Sequence, residues 1–176
     1  MPIPLIPILA AAGAYLLLTQ GQTTDILRLV APKYRSERND RMVQIIAAEF
    51  AAAGLPTNAI AAAIVNSYAE SGLNPTIPGD GGHSIGLFQL NDWGAGHGLT
   101  IEFRQDPVNN TKTILQREVL TNRGAEFRRR AKEGASVAEL AAIFARDIER
   151  PKHTAAAMSG RSALAIQMFP SLARTA

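Results

Sequence analysis

"YAESGLNP", residues Tyr68 to Pro75, sets one carboxylate, Glu70, at the end of an alanine-rich apolar run and follows it at once with serine, glycine and an asparagine-proline turn. Upstream, Ile60, Ile64, Val65 and Tyr68 recur at helical spacing, with Thr57 or Asn58 placed to cap the helix. Gly72 supplies the left-handed residue that ends helices, so Glu70 is expected in a last helical turn. The negative end of a helix and apolar neighbours both disfavour an ionised carboxylate there, which makes a protonated carboxyl near neutrality. Such a group beside a cleft can protonate a departing sugar oxygen, as cleavage of a glycosidic bond requires. A solvated surface glutamate is the plainer reading of the same residue.

Outward from this stretch the pattern is helical. Met42, Ile45, Ile46, Phe50 and Ala53 mark a helix over 39–53, stopped by Gly54 and Pro56. "LNPTIPGDGGHSIG", Leu73 to Gly86, is rich in turn formers and reads as a loop long enough to wall a cleft. "SIGLFQLND", Ser84 to Asp92, contains a short strand candidate. Asp106 and Pro107 form an N-cap and first helical position for a helix reaching about Leu120. Ser136 and Glu139 have capping-box spacing and open a helix that stops before Pro151. A last helix ends near Phe169, before Pro170. The expected fold is therefore mainly α, of the α+β type with a small β element, in a domain over 39–170.

Composition narrows the chemistry. With no cysteine among 176 residues, disulfides and thiolate metal sites are excluded, and His83, His97 and His153 show no paired ligand spacing. No metal or cofactor is expected. The net charge of +3 suits an anionic partner such as cell wall, nucleic acid or lipid headgroups, without choosing among them. "EFRRRAKEG", Glu126 to Gly134, reads as a solvated helix face.

The N-terminus is a separate problem. Ile3 to Leu18 carries no charged side chain, and Pro2, Pro4 and Pro7 delay any helix start to about residue 7, which makes a full membrane span marginal. Residues 1–20 are read as a membrane anchor or a helix docked on a protein, with a cleaved signal as the alternative; residues 21–38 are read as a connector. Basic residues at Arg28, Lys33, Arg35, Arg38 and Arg41 would hold the following chain on the cytoplasmic side of such an anchor.

"AIVNSYAESGLNP" followed by "GDGGHSIGLFQLN" resembles the lysozyme-like superfamily of goose-type lysozymes and lytic transglycosylases. The late Glu149-Arg150-Pro151 after "AAIFARDI", and the segment "GRSALA", are similar to the phage tail lysozyme family. The resemblance runs from about Asn39 to Phe169 and implies a lysozyme-like domain acting on bacterial peptidoglycan, with no nucleic-acid partner. It makes Glu70 the general acid, with Ser71 near the cleft floor and Ser84, Gly86, Phe88 and Gln89 lining the cleft. Trp93 is a candidate for stacking on a sugar ring. A second carboxylate or a positioned water is needed by a hydrolase, and Asp80 is the first candidate, with Asp92 next. Glu149 is read as pairing with an arginine. "ELAAIFARDIERP", Glu139 to Pro151, has no tyrosine where the transglycosylases carry a tyrosine-asparagine pair.

Three readings follow from the resemblance. The first is a muramidase of the phage virion that opens the wall locally for genome delivery, attached to a lipid layer or a virion protein through residues 3–18. The second is a lytic transglycosylase or a lysis enzyme tethered to the host cytoplasmic membrane. The third is an inactive structural or glycan-binding virion protein.

Overall fold

The computed structural model describes residues 25–173, and the apolar segment at 3–18 lies outside them. Among the described residues no helix is long and apolar enough to cross a membrane. The body is mainly helical with one small sheet, as the sequence pattern predicts.

Helix α1 (Glu37–Ala52) starts where the Ser36 hydroxyl accepts a bond from the Asn39 N–H at 3.1 Å. Helix α2 (Thr57–Ser71) follows and is buried without a break from Ala59 to Ser67. Continuous burial means that α2 has neighbours on every side. They are α1, α5 (Ala125–Lys132), α6 (Val137–Phe144) and α7 (Thr154–Met168). Four alanines at 59 and 61–63 keep α2 slender, so these helices approach closely while Phe50, Phe127, Phe144 and Phe169 fill the remaining core. Gly72 ends α2 at φ 61°, donating its N–H to the Tyr68 carbonyl at 2.7 Å.

The core extends N-terminal to α1. Ile26, Val30 and Tyr34, within the stretch read as a connector, are buried, and the Tyr34 ring meets Tyr68 edge-on at 5.2 Å. The Ala31 N–H donates to the Met168 carbonyl at 2.8 Å, tying this stretch to the end of α7.

The loop after α2 folds into three two-residue antiparallel strands in the order β1 (Pro78–Gly79), β2 (Ser84–Ile85) and β3 (Leu90–Asn91). Pairs this short are not self-supporting. The Asn110 side chain holds the turn instead: its Oδ1 accepts from the Phe88 N–H at 3.0 Å, and its amide donates to the carbonyls of Ile85 at 3.1 Å and Arg104 at 2.7 Å. Asn110 is delivered by α4 (Pro107–Ile114), which follows the five-residue α3 (Ile101–Gln105) and is capped by Asp106 with Pro107 at its first position.

Two helices end in a way the sequence period does not announce. Helix α4 continues as a π-turn over Leu115–Val119, and α6 continues as one over Ala145–Glu149. The Leu120 and Arg150 N–H groups reach back five residues to Leu115 and Ala145, at 2.8 and 2.9 Å. Such widened turns recur at functional sites because they re-aim the side chains they carry.

Asn110 is fully buried and satisfies three backbone groups, so Asn110→Ala is expected to destabilise the protein by roughly 2–4 kcal/mol, the desolvation cost of the groups left unpaired. Urea unfolding followed by circular dichroism checks this, and a loss below about 1 kcal/mol would mean that the hairpin does not depend on the clamp.

Candidate active site

Between the hairpin and the helices lies a cleft of about 570 Å³, the size of an ordinary ligand site. Glu70 and Glu149 enter it from the helical side, and Asp80, Ser84 and Gln89 enter from the hairpin. Glu118, Arg150 and Lys152 complete its charged rim.

Glu70 stands where the sequence puts it, one residue before the end of α2. Its carboxylate accepts a hydrogen bond from Arg161 Nη2, on α7. The same nitrogen donates to Glu149 Oε2 at 3.0 Å, and Arg161 Nε donates to Asn66 Oδ1 at 3.1 Å. Asn66 is itself fixed by donating to the carbonyls of Ala62 at 2.8 Å and Ala141 at 3.2 Å. One guanidinium, held by α2 and α6, thus serves two carboxylates.

Burial is uneven between them. The Glu149 side chain is 8% exposed and that of Glu70 is 25% exposed. Burial, with the nearby Glu70 charge as a further cause, pushes the Glu149 carboxyl up to about 8, although Arg161 acts against the rise. Glu149 Oε1 is buried and has no hydrogen-bond donor among the described residues.

The remaining residues singled out in the sequence divide into two groups. Asp80, Ser84, Phe88 and Gln89 line the cleft, whereas Ser71, Gly86 and Trp93 are not part of its lining. Asp80 accepts from the Ser84 hydroxyl at 2.6 Å, and Ser84 accepts from the Asn91 amide at 3.1 Å, which aims the Asp80 carboxylate. Phe88 is 5% exposed and packs between Phe50 and Phe144, so most of its ring belongs to the core. Gln89 adopts φ 44° and donates to the carbonyls of Ile77 at 3.1 Å and Gly86 at 3.0 Å, bracing the hairpin it stands on.

Ser71 is buried beneath the turn. Its hydroxyl lies 2.9 Å from the Ser67 carbonyl and 3.0 Å from that of Leu87, while Ser67 also donates to Leu87 at 3.0 Å. Two serines of α2 therefore fasten the Gly-Leu-Phe-Gln turn to the helix that carries Glu70. Gly86 is needed by the protein's own packing, since at φ 84° a β-carbon there would collide with the Arg104 carbonyl and the Asn110 amide. Trp93 stands 76% exposed on the hairpin side, its ring stacked on His83 at 4.1 Å. His83 Nδ1 is 3.1 Å from Asp92 Oδ2, so Asp92 is engaged with that imidazole.

Arg161, Asn66, Glu118 and Asn110 are site or support residues that sequence pattern does not reveal. Arg161 lies within "GRSALA", and Glu149 within the Glu-Arg-Pro triplet, but nothing in their spacing says that they meet Glu70. Glu118 is buried at the π-turn after α4 and is bonded by Arg123 at 2.9 Å and Arg150 at 3.4 Å. Among the described residues no cluster of three metal-ligating side chains forms.

The native state retains a proton on Glu149 up to a pH of about 8, while the unfolded chain releases it near the ordinary carboxyl value of 4.5. Stability is therefore expected to fall as pH rises through this window. Arg161→Met, which removes the cation compensating two carboxylates, should steepen the fall and destabilise the protein by roughly 3–5 kcal/mol at pH 8. Calorimetric Tm values at pH 5, 6.5 and 8 check both expectations, a flat wild-type profile counting against a proton held by Glu149.

No curated protein and no solved structure is significantly similar to the chain. The family model described as phage tail lysozyme matches residues 41–172, which takes in α2, the hairpin, the Glu-Arg-Pro triplet and Arg161. The chain belongs to the phage tail lysozyme family, whose lysozyme-like function is the hydrolysis of phage-host peptidoglycan.

Proposed function

We propose that this protein is a virion-associated muramidase that cleaves the β-1,4 bond between N-acetylmuramic acid and N-acetylglucosamine, with Glu70 as general acid. The observation that carries the reading is the placement of Glu70 at the helical edge of a cleft whose hairpin edge presents a second, aimed carboxylate, Asp80. Cleavage needs a proton delivered to the leaving oxygen as the C1–O bond breaks, and a water activated or oriented on the other side of the sugar. Glu70 does the first. Asp80, oriented by Ser84, does the second.

The cleft rim supports binding of a long, anionic glycopeptide strand. Arg150 and Lys152 offer cationic contacts, and Trp93, with one face on His83, offers an apolar platform beyond the lining for a sugar ring. Gln89 and the hairpin backbone supply polar contacts at the floor. Local wall opening during genome delivery is the task that suits such an enzyme, with residues 3–18 attaching it to a lipid layer or to another virion protein.

Glu70→Gln keeps the shape and loses the carboxyl proton, and it is expected to lower release of soluble muropeptides from purified peptidoglycan by at least ~10³-fold, as loss of the acid demands. Asp80→Asn is expected to lower it by ~10²-fold. Mass spectrometry of the products from the full chain reads the chemistry: reducing ends mean hydrolysis, and 1,6-anhydro ends mean transglycosylation. Undiminished release by folded Glu70→Gln would remove Glu70 from the mechanism.

A further inference from the structure

Glu149 poses a question that wall cleavage by Glu70 and Asp80 leaves unanswered. Its side chain is nearly as buried as an apolar core residue; among the described residues its Oε1 has no donor and its one cation, Arg161, is shared with Glu70. A buried carboxylate oxygen without a donor is costly to leave charged, so an ionised Glu149 is poorly accommodated. A protonated one is not. Glu70 Oε1 and Glu149 Oε2 both accept from the same nitrogen, Arg161 Nη2, so the two carboxyls are held side by side on one cation.

The surrounding charges support one proton for the pair. Arg161, on α7, supplies a single positive charge against two carboxyls. Glu118, on the π-turn after α4, faces the same cleft but is already bonded by Arg123 and Arg150. Lys152 follows Arg150 and Pro151 at the rim, and Asp80 on the hairpin takes its bond from Ser84. With one proton on the pair, Glu70, Glu149 and Arg161 together are neutral.

We propose that Glu149 and Glu70 share one proton beside Arg161, Glu149 storing it in the resting cleft and returning it to the more exposed Glu70, which passes it to the glycosidic oxygen. Glu149 is thus a positioning residue that acts through Glu70, and the inference rests on Glu70 being the acid. The step balances. The C1–O bond breaks as the leaving oxygen takes the proton, water forms the new C1–O bond as its proton passes to Asp80, and Asp80 gives that proton up to solvent, from which the pair takes one back. Glu149 reaches α2's Glu70 through Arg161 from the end of the π-turn at Ala145–Glu149.

The test compares the full chain with its Glu149→Gln and Glu149→Asp variants in peptidoglycan turnover from pH 4 to 9. Glutamine retains the acceptor for Arg161 and loses the proton store, so the alkaline limb is expected to move at least about one pH unit toward acid, an activity loss of ~10-fold near neutrality and little at pH 5. Aspartate should restore part of the limb. A folded Glu149→Gln with the wild-type pH profile overturns the proposal, even when Glu70→Gln is inactive. Should Glu149→Gln fail to fold, carboxyl-¹³C glutamate NMR of the unmutated chain decides: two resonances that each respond in both titration steps support sharing, and two independent curves overturn it. This measurement needs no turnover, so it stays informative if Glu70→Gln proves active and the muramidase reading itself falls.

Discussion

Helix α2 is buried along most of its length, so the charge at its end must be met by something that other elements bring to it. Arg161 on α7 does this, and it cannot do so alone. Its Nε is held by Asn66 of α2, and Asn66 is in turn held by the Ala141 carbonyl of α6. The chain of contacts that neutralises Glu70 therefore runs through three helices. Their close approach depends on the alanines at 59 and 61–63, because larger side chains there would push α6 and α7 away and separate the arginine from both carboxylates.

The hairpin is coupled to the same helix from its other side. Ser67 and Ser71, one turn apart on α2, both reach the Leu87 carbonyl, and Asn110 of α4 closes on the turn from behind. A sheet of two-residue strands has little stability of its own, so its geometry relative to Glu70 is set by these side chains. The acid and the wall facing it are thus fastened to one helix.

Widened helical turns supply the other two carboxylates of the cleft. Glu118 and Glu149 each lie in a π-turn, and each lines the cleft. Glu118 is paired by arginines and anchors the rim. Glu149 shares its arginine with Glu70, and burial pushes its carboxyl up to about 8.

The sequence by itself determined the main helices and the place of Glu70, but not every cap: α2 has Pro56 at its N-cap rather than Thr57 or Asn58, with no side chain bonded to its first turn. Ser36 aside, the predicted stops and starts at Gly54, Gly72, Asp106 and Ser136 rest on local chemistry, on glycine in the left-handed region and on side chains that cap within three residues. Motif resemblance likewise placed Asp80, Ser84 and Gln89 near one another because they follow Glu70 within 20 residues. What Ser71 and Gly86 touch was decided only by the tertiary structure: both serve internal packing, because a buried hydroxyl takes the nearest carbonyl and a missing β-carbon makes room for Asn110. The meeting of Glu70, Glu149 and Arg161 was also beyond the sequence. These residues stand 79 and 12 positions apart in turn, and their contact follows from α6, with its terminal π-turn, and α7 packing on the slender α2, which no local period encodes.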